Sequence, residues 1–171
     1  MSKLLSCFFV WEVPPSYSLR RADVIVAQSF GLPANGLSNV SLAQVCDDLQ
    51  SRHYIPVVSQ WEIADQMKTQ VVHRIEKHRV PGKYLDTYEV ISQAWEFCKS
   101  QDRTNAVIVA HPDHMWRCVM VAKTLGFYTF VPEVNHIPYD PKSEQPWTRS
   151  AARFIPREIM ARLLYLKKGW I

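Results

Sequence analysis

The stretch VIVAHPDHMWRC, residues 107 to 118, sets an apolar run directly ahead of His111, Asp113, His114 and Arg117. Two chemistries are open to that set. Histidines and a carboxylate at close spacing suit zinc, with His111, Asp113 and His114 at the corner and His136 as the downstream histidine. An arginine one turn into a helix suits an anion instead. The guanidinium is a forked, permanent cation, and the free N–H groups of the helix start already favour negative charge. His114 beside it can orient a phosphate or carboxylate, or shuttle a proton near neutral pH. Glu89 is the candidate partner of Arg117, or a base in its own right.

Elements must bring these residues together. ADVIVAQSFG, from Ala22, reads as a strand buried on both faces. Ser41 and Gln44 form a Ser-x-x-Gln capping box, continued by Leu42, Val45 and Leu49 as a helix to about Gln50. Tyr54 to Val58 is a second strand ending at Ser59. The spacing Trp61, Ala64, Met67 and then Val71, Val72, Ile75 predicts a helix that breaks before Pro81-Gly82. A further helix starts near Asp86 or Thr87, with Glu89 in its first turn and Ile91, Ala94, Trp95 and Cys98 as its buried stripe. Ala106 to Ala110 is the next strand. Asp113 to Leu125 is a helix closed by Gly126, and Phe127 to Val131 is a strand. Residues 132 to 150 hold four of the eleven prolines and no period, so they read as a long loop. After Pro156, Ile159, Leu163 and Leu166, with Met160 and Leu164 beside them, predict an amphipathic terminal helix.

Strands alternating with helices predict a three-layer, Rossmann-like α/β fold with a mainly parallel sheet of about five strands. In such sheets ligands sit beyond the carboxyl ends of the strands. The corners to watch are Gln28 to Gly31, Ser59 to Glu62, His111 to Arg117 and the loop after Val131, joined by Tyr84 to Glu89 if that segment lies above the sheet edge.

A chain of 171 residues with 47% hydrophobic content is expected to form a single domain over its whole length. The formal net charge of +4, with both signs interspersed, gives no electrostatic footprint for nucleic acid. Cys7, Cys46, Cys98 and Cys118 show no CxxC spacing and read as buried thiols of a reducing compartment. The apolar run from Leu4 to Trp11 is too short to span a membrane, which takes about 20 residues. It reads as a strand or short helix on the core of a cytoplasmic protein with no membrane span.

Two family resemblances bear on the motif. VAHPDH resembles the AHPDDE motif of the PIG-L/LmbE zinc deacetylases, which implies a zinc-dependent hydrolase. VIVAHPDHMWRCVMVAKTLGF resembles the strand-His-Met-x-Arg-helix-Gly segment of the ElyC/SanA/YdcF family, a domain of unknown function, through His114, Met115 and Arg117. DTYEVISQAW is similar to that family's Thr-x-Glu-Asn helix start through Thr87 and Glu89, with Val90 in place of the asparagine. FIPREIMARLLYLKKG is similar to its terminal Arg-Glu helix through Arg157 and Glu158. ADVIVAQSFG takes the place of its opening strand, so the likeness runs from about residue 22 to 169. The chain departs from the family's glycine clusters, having Gln28-Ser29-Phe30-Gly31 and Ser59-Gln60-Trp61-Glu62. There, bulky Phe30 and Trp61 narrow a pocket or stack on a flat ligand.

The second resemblance implies a small-molecule site at the sheet edge built from Ser29, Ser59, Thr87, Glu89, His114, Arg117 and Arg157. Its ligand is phosphorylated or nucleoside-type. A soluble member admits S-adenosylmethionine as readily as a nucleotide or a lipid-linked phosphate, and a link to bacterial envelope metabolism follows. Chemistry there is transfer or hydrolysis at a phosphate or ester, with His114 or Glu89 as acid or base and Arg117 stabilising negative charge. Plainer readings stand beside these. Thr87 and Glu89 suffice as a helix start, Arg117 as an ion-pair partner of Glu89, and Arg157-Glu158 as the solvated cap of the last helix. Trp61 and Trp95 suit the core, and Cys118 reads as inert. A non-catalytic interaction module, using Trp147 and Arg149 of the 132 to 150 loop, is a third possibility.

Overall fold

The computed structural model describes residues 2–134 and 136–171. Its order is α1 (Lys3–Phe9), β1 (Val24–Ala27), α2 (Leu37–His53), β2 (Val57–Gln60), α3 (Trp61–Ala64), β3 (Val71–Ile75), α4 (Thr87–Lys99), β4 (Asn105–Val109), α5 (Pro112–Leu125), β5 (Tyr128–Phe130), a 3-10 turn at Pro146–Thr148 and α6 (Ala151–Lys167). The five strands form one parallel sheet in the order β3-β2-β1-β4-β5. The chain therefore winds outward from β1 to β3, returns, and winds the other way from β4. That reversal opens a crevice beyond the carboxyl ends of β1 and β4, where Ala27 pairs with Val109.

The sheet sorts its apolar side chains by strand alternation into two cores. Val24, Val26, Ile108 and Ala110 pack with Val90, Ile91 and Ala94 of α4 and Cys118 and Val119 of α5. Ile25, Ala27, Val107 and Val109 pack on the other face with Leu42, Ala43 and Cys46 of α2. Helix α6 belongs to both: Phe154 lies in the α2-side core and Tyr165 in the α4/α5-side core. It thus crosses over the sheet edge between them.

Several boundaries follow the sequence closely. Asp86 caps α4 by accepting from the Glu89 N–H at 3.0 Å. Gly126 closes α5 at φ +118°, where a Cβ would lie 2.8 Å from the Trp95 ring. The Leu4 to Trp11 run begins as a short helix, and no helix among the described residues is long and apolar enough to cross a membrane.

Four expectations need correction. The 61 to 75 helix is one short turn, α3, followed by strand β3. Asp47 of α2 accepts from the Lys68 N–H at 3.0 Å and the Thr69 N–H at 3.0 Å, which draws the chain out of helix before β3. The Ser41 capping box does not form. Helix α2 starts a turn earlier, after Gly36, and the Ser41 hydroxyl donates back to the Leu37 carbonyl at 2.9 Å. Helix α6 starts at Ala151 and carries the exposed Pro156 inside it. Finally, its buried stripe is Phe154, Glu158, Arg162 and Tyr165; Leu163 and Leu166 pack against the core as expected, whereas Met160 and Leu164 are exposed.

Candidate functional site

The crevice between β1 and β4 holds a cavity of about 220 Å³. Its floor is Gln28 to Gly31 and Gln60, its sides are Thr87 of α4 with His114 and Arg117 of α5, and α6 and the Gln145 to Thr148 turn form its roof. Thr87 is the first residue of α4 and His114 lies in the first turn of α5, so two helix starts open onto the same space. Asp86, Tyr165 and His111 already take N–H groups of these starts, and the positive ends of the two helix dipoles still favour negative charge there.

Behind this wall lies a buried charge cluster. Arg117 donates through Nε to both Glu158 carboxylate oxygens at 3.1 Å and through Nη2 to Oε2 at 2.7 Å. Its Nη1 donates to Thr87 Oγ1 at 2.9 Å, and the guanidinium carbon sits 4.9 Å from the Tyr165 ring centre. Glu158 also accepts from Arg162 Nε at 3.0 Å. Arg162 is fully buried between the Trp11 and Trp116 rings, 4.2 and 4.7 Å away, and donates to the Val10 carbonyl at 2.7 Å. The N-terminal segment thereby locks the cluster.

Burial opposes the charge on Glu158, but the Arg117 charge and the neighbouring hydrogen bonds outweigh it and hold the carboxyl well below its usual range. His114 is pushed the other way, to neutral, by burial first and by the Arg117 charge second. Its Nε2 lies 3.2 Å from Thr87 Oγ1 and its Nδ1 3.4 Å from Glu158 Oε2. At the mouth, exposed Arg157 stacks over Trp147 at 4.0 Å.

The floor adds neutral polar groups. Gln28 is buried, and its Nε2 has no hydrogen-bond partner among the described residues. An unpaired donor of that kind costs free energy unless a ligand or water takes it. The Ser29 N–H donates to Gln60 Oε1 at 3.3 Å, and Gln60 Nε2 donates to Glu62 at 3.2 Å. Burial raises the Glu62 carboxyl to about 7 despite these bonds.

Of the residues singled out in the sequence, Ser29, Thr87, His114, Arg117 and Arg157 line one cavity. Glu89 and Ser59 stand apart. Glu89 is held by Arg79, whose Nε donates at 2.8 Å and whose backbone N–H donates at 3.0 Å. Although burial alone would raise it, the Arg79 bonds bring Glu89 down to about 2, too acidic for a base near neutral pH. Arg117 takes Glu158 in its place. Ser59 is buried and donates to the Gln60 carbonyl at 2.9 Å. Trp61 lies outside the cavity lining, whereas Phe30 lines it and stacks on His111 at 4.0 Å.

His111 itself caps α5 by accepting from the Asp113 N–H at 3.3 Å, and burial brings its ring down to about 3. The Asp113 carboxylate accepts from the Tyr139 hydroxyl. Among the described residues, no three His, Cys, Asp or Glu side chains converge as a metal ion requires. Arg149 donates to the Ser143 carbonyl at 2.7 Å and braces the loop over the cavity. The cysteines are all buried, and burial raises the Cys118 thiol, so it is not a reactive nucleophile.

Sequence reasoning missed Glu158 and Arg162 as site residues. A charged i, i+4 pair within the same stripe as Phe154 and Tyr165 was the available signal. Comparison of the chain with protein-family models, curated proteins and solved structures finds no match.

Proposed function

We propose that the protein binds a small anionic ligand, phosphorylated or nucleoside-type, in the cavity at the carboxyl edge of the sheet. One observation carries this reading. Across the cavity wall and the layer behind it, three guanidiniums, Arg117, Arg157 and Arg162, face the carboxylates of Asp86 and Glu158, with His114 neutral and the Glu62 carboxyl under the floor raised to about 7. A surplus positive charge lining the crevice, beside two helix starts, favours an anion. The stacked Arg157 and Trp147 suit a flat group at the mouth, and Gln28 suits a ligand acceptor.

The resemblance to the ElyC/SanA/YdcF family supports the same reading, and a cytoplasmic, reducing setting suits its buried thiols. Nucleotides and sugar phosphates are the anionic classes to separate from S-adenosylmethionine, a net cation that a positive surplus disfavours. The chemistry we assign is transfer or hydrolysis at a phosphate or ester. A thermal-shift panel of inorganic phosphate, sugar phosphates, nucleotides and S-adenosylmethionine tests it. At least one anion should raise the melting temperature, and Arg117→Gln should abolish the rise. A rise that survives Arg117→Gln contradicts the anion clamp, and silence across the panel favours an interaction module.

A further inference from the structure

We propose that Thr87 is the nucleophile of a Thr87–His114–Glu158 relay acting on phosphate esters in this cavity. The substrate class rests on the anion-binding reading above, whereas the relay rests on its own geometry. Thr87 Oγ1 lies 3.2 Å from His114 Nε2, and His114 Nδ1 lies 3.4 Å from Glu158 Oε2. Nucleophile, base and orienting carboxylate are thus in sequence, in the arrangement that activates a hydroxyl. All three come from helices fixed by the core: α4, α5 and α6.

The relay requires one tautomer of His114. Thr87 Oγ1 already accepts from Arg117 Nη1 at 2.9 Å. With the proton on Nδ1, the ring donates to Glu158, and Nε2 accepts from Thr87. Arg117 Nη2, 3.3 Å from Nδ1, then donates to Glu158 alone. Burial keeps the ring neutral, so one of its two nitrogens is free to accept.

The step balances within the site. The Thr87 Oγ lone pair forms a bond to phosphorus as the bond from phosphorus to the ester leaving oxygen breaks. The Thr87 proton passes to His114 Nε2 and then to that leaving oxygen. Water, activated by the same nitrogen, later cleaves the phosphothreonine and releases phosphate. Arg117, in contact with the attacking oxygen, stabilises the charge developed between them. Glu158 is a positioning residue, acting on the substrate through His114, and it is itself held by Arg117 and Arg162.

Diisopropyl fluorophosphate probes the relay without knowledge of the natural ester. The Thr87 oxygen displaces fluoride, the proton goes to His114, and a stable phosphoryl adduct remains. Treatment of the full chain, followed by peptide mass spectrometry, should place the adduct on Thr87. Thr87→Ser should keep labelling, Thr87→Val should lose it with the fold intact by circular dichroism, and His114→Gln should slow it at least about 100-fold. Inorganic phosphate should protect Thr87.

His114 is faced by Thr87 from α4, by His111 and Arg117 from the α5 corner, and by Glu158 and Arg162 from α6. Glu158→Gln removes the carboxylate from that set. The acid limb of the labelling profile should therefore move to lower pH, which a purely structural role would not cause. An adduct elsewhere, or one indifferent to His114→Gln, overturns the relay. So does no adduct in a protein that phosphate still stabilises, an outcome that leaves the binding reading standing. Labelling of Thr87 that phosphate neither protects nor accompanies with stabilisation overturns the phosphate-ester assignment.

Discussion

Glu158 is the residue on which the site turns, because it is fully buried and shared by two guanidiniums. Replacing it with Gln leaves both cations without their counter-charge, and we expect a loss of ~3–5 kcal/mol in chemical denaturation. Glu62 makes the opposite case. Its folded pKa is raised to about 7 by burial, above its value in the unfolded chain. Its contribution is therefore full in acid and is lost as pH rises toward 7, so Glu62→Gln should gain stability over the wild type at pH 8 by about 2–3 kcal/mol and match it near pH 4. Melting curves at the two pH values check this. His114 and Arg117 were legible from their spacing after an apolar strand, and Thr87 from its place at a helix start. The Arg117 partner was not legible, since Glu158 lies in a different helix and Arg79, in the loop before α4, had already taken Glu89.

At the scale of elements, the alternation of strands and helices was readable because β1, β2 and β4 are buried on both faces or nearly so, giving continuous apolar runs. Strand β3 was not, because Val71, Val72 and Ile75 fit a helical period as well as an edge strand with alternating exposure. Asp47, from α2, decides the matter through its bonds to Lys68 and Thr69. Asp47→Ala should cost about 1–2 kcal/mol and speed amide exchange in β3 while leaving β1 and β4 protected. The turn after β1 carries a second test. Gly31 has φ +89°, and a Cβ there would lie 2.6 Å from Thr148 Oγ1 and 2.8 Å from Ser143 Oγ. Gly31→Ala should cost about 1–3 kcal/mol by unfolding equilibrium and loosen the roof of the cavity.

For the whole molecule, the strand order puts the β1 and β4 ends at the winding reversal, and α6 crosses above them from one core to the other. The fold therefore builds the site from segments far apart in sequence, and this is why its complete membership needed three dimensions. Two buried neutral histidines also set the acid response. His111 and His114 have folded pKa values depressed below the unfolded value, so the stability they give is present above about 6.5 and is lost as pH falls toward the folded value, about 3 for His111. The most direct test of the anion site is calorimetric titration of the wild type and Arg117→Gln with inorganic phosphate at low and high salt. We expect saturable binding in the wild type, weakened by salt and by at least about 10-fold in a folded Arg117→Gln protein. Equal phosphate affinity in the two proteins, or no phosphate binding by the wild type, would contradict it.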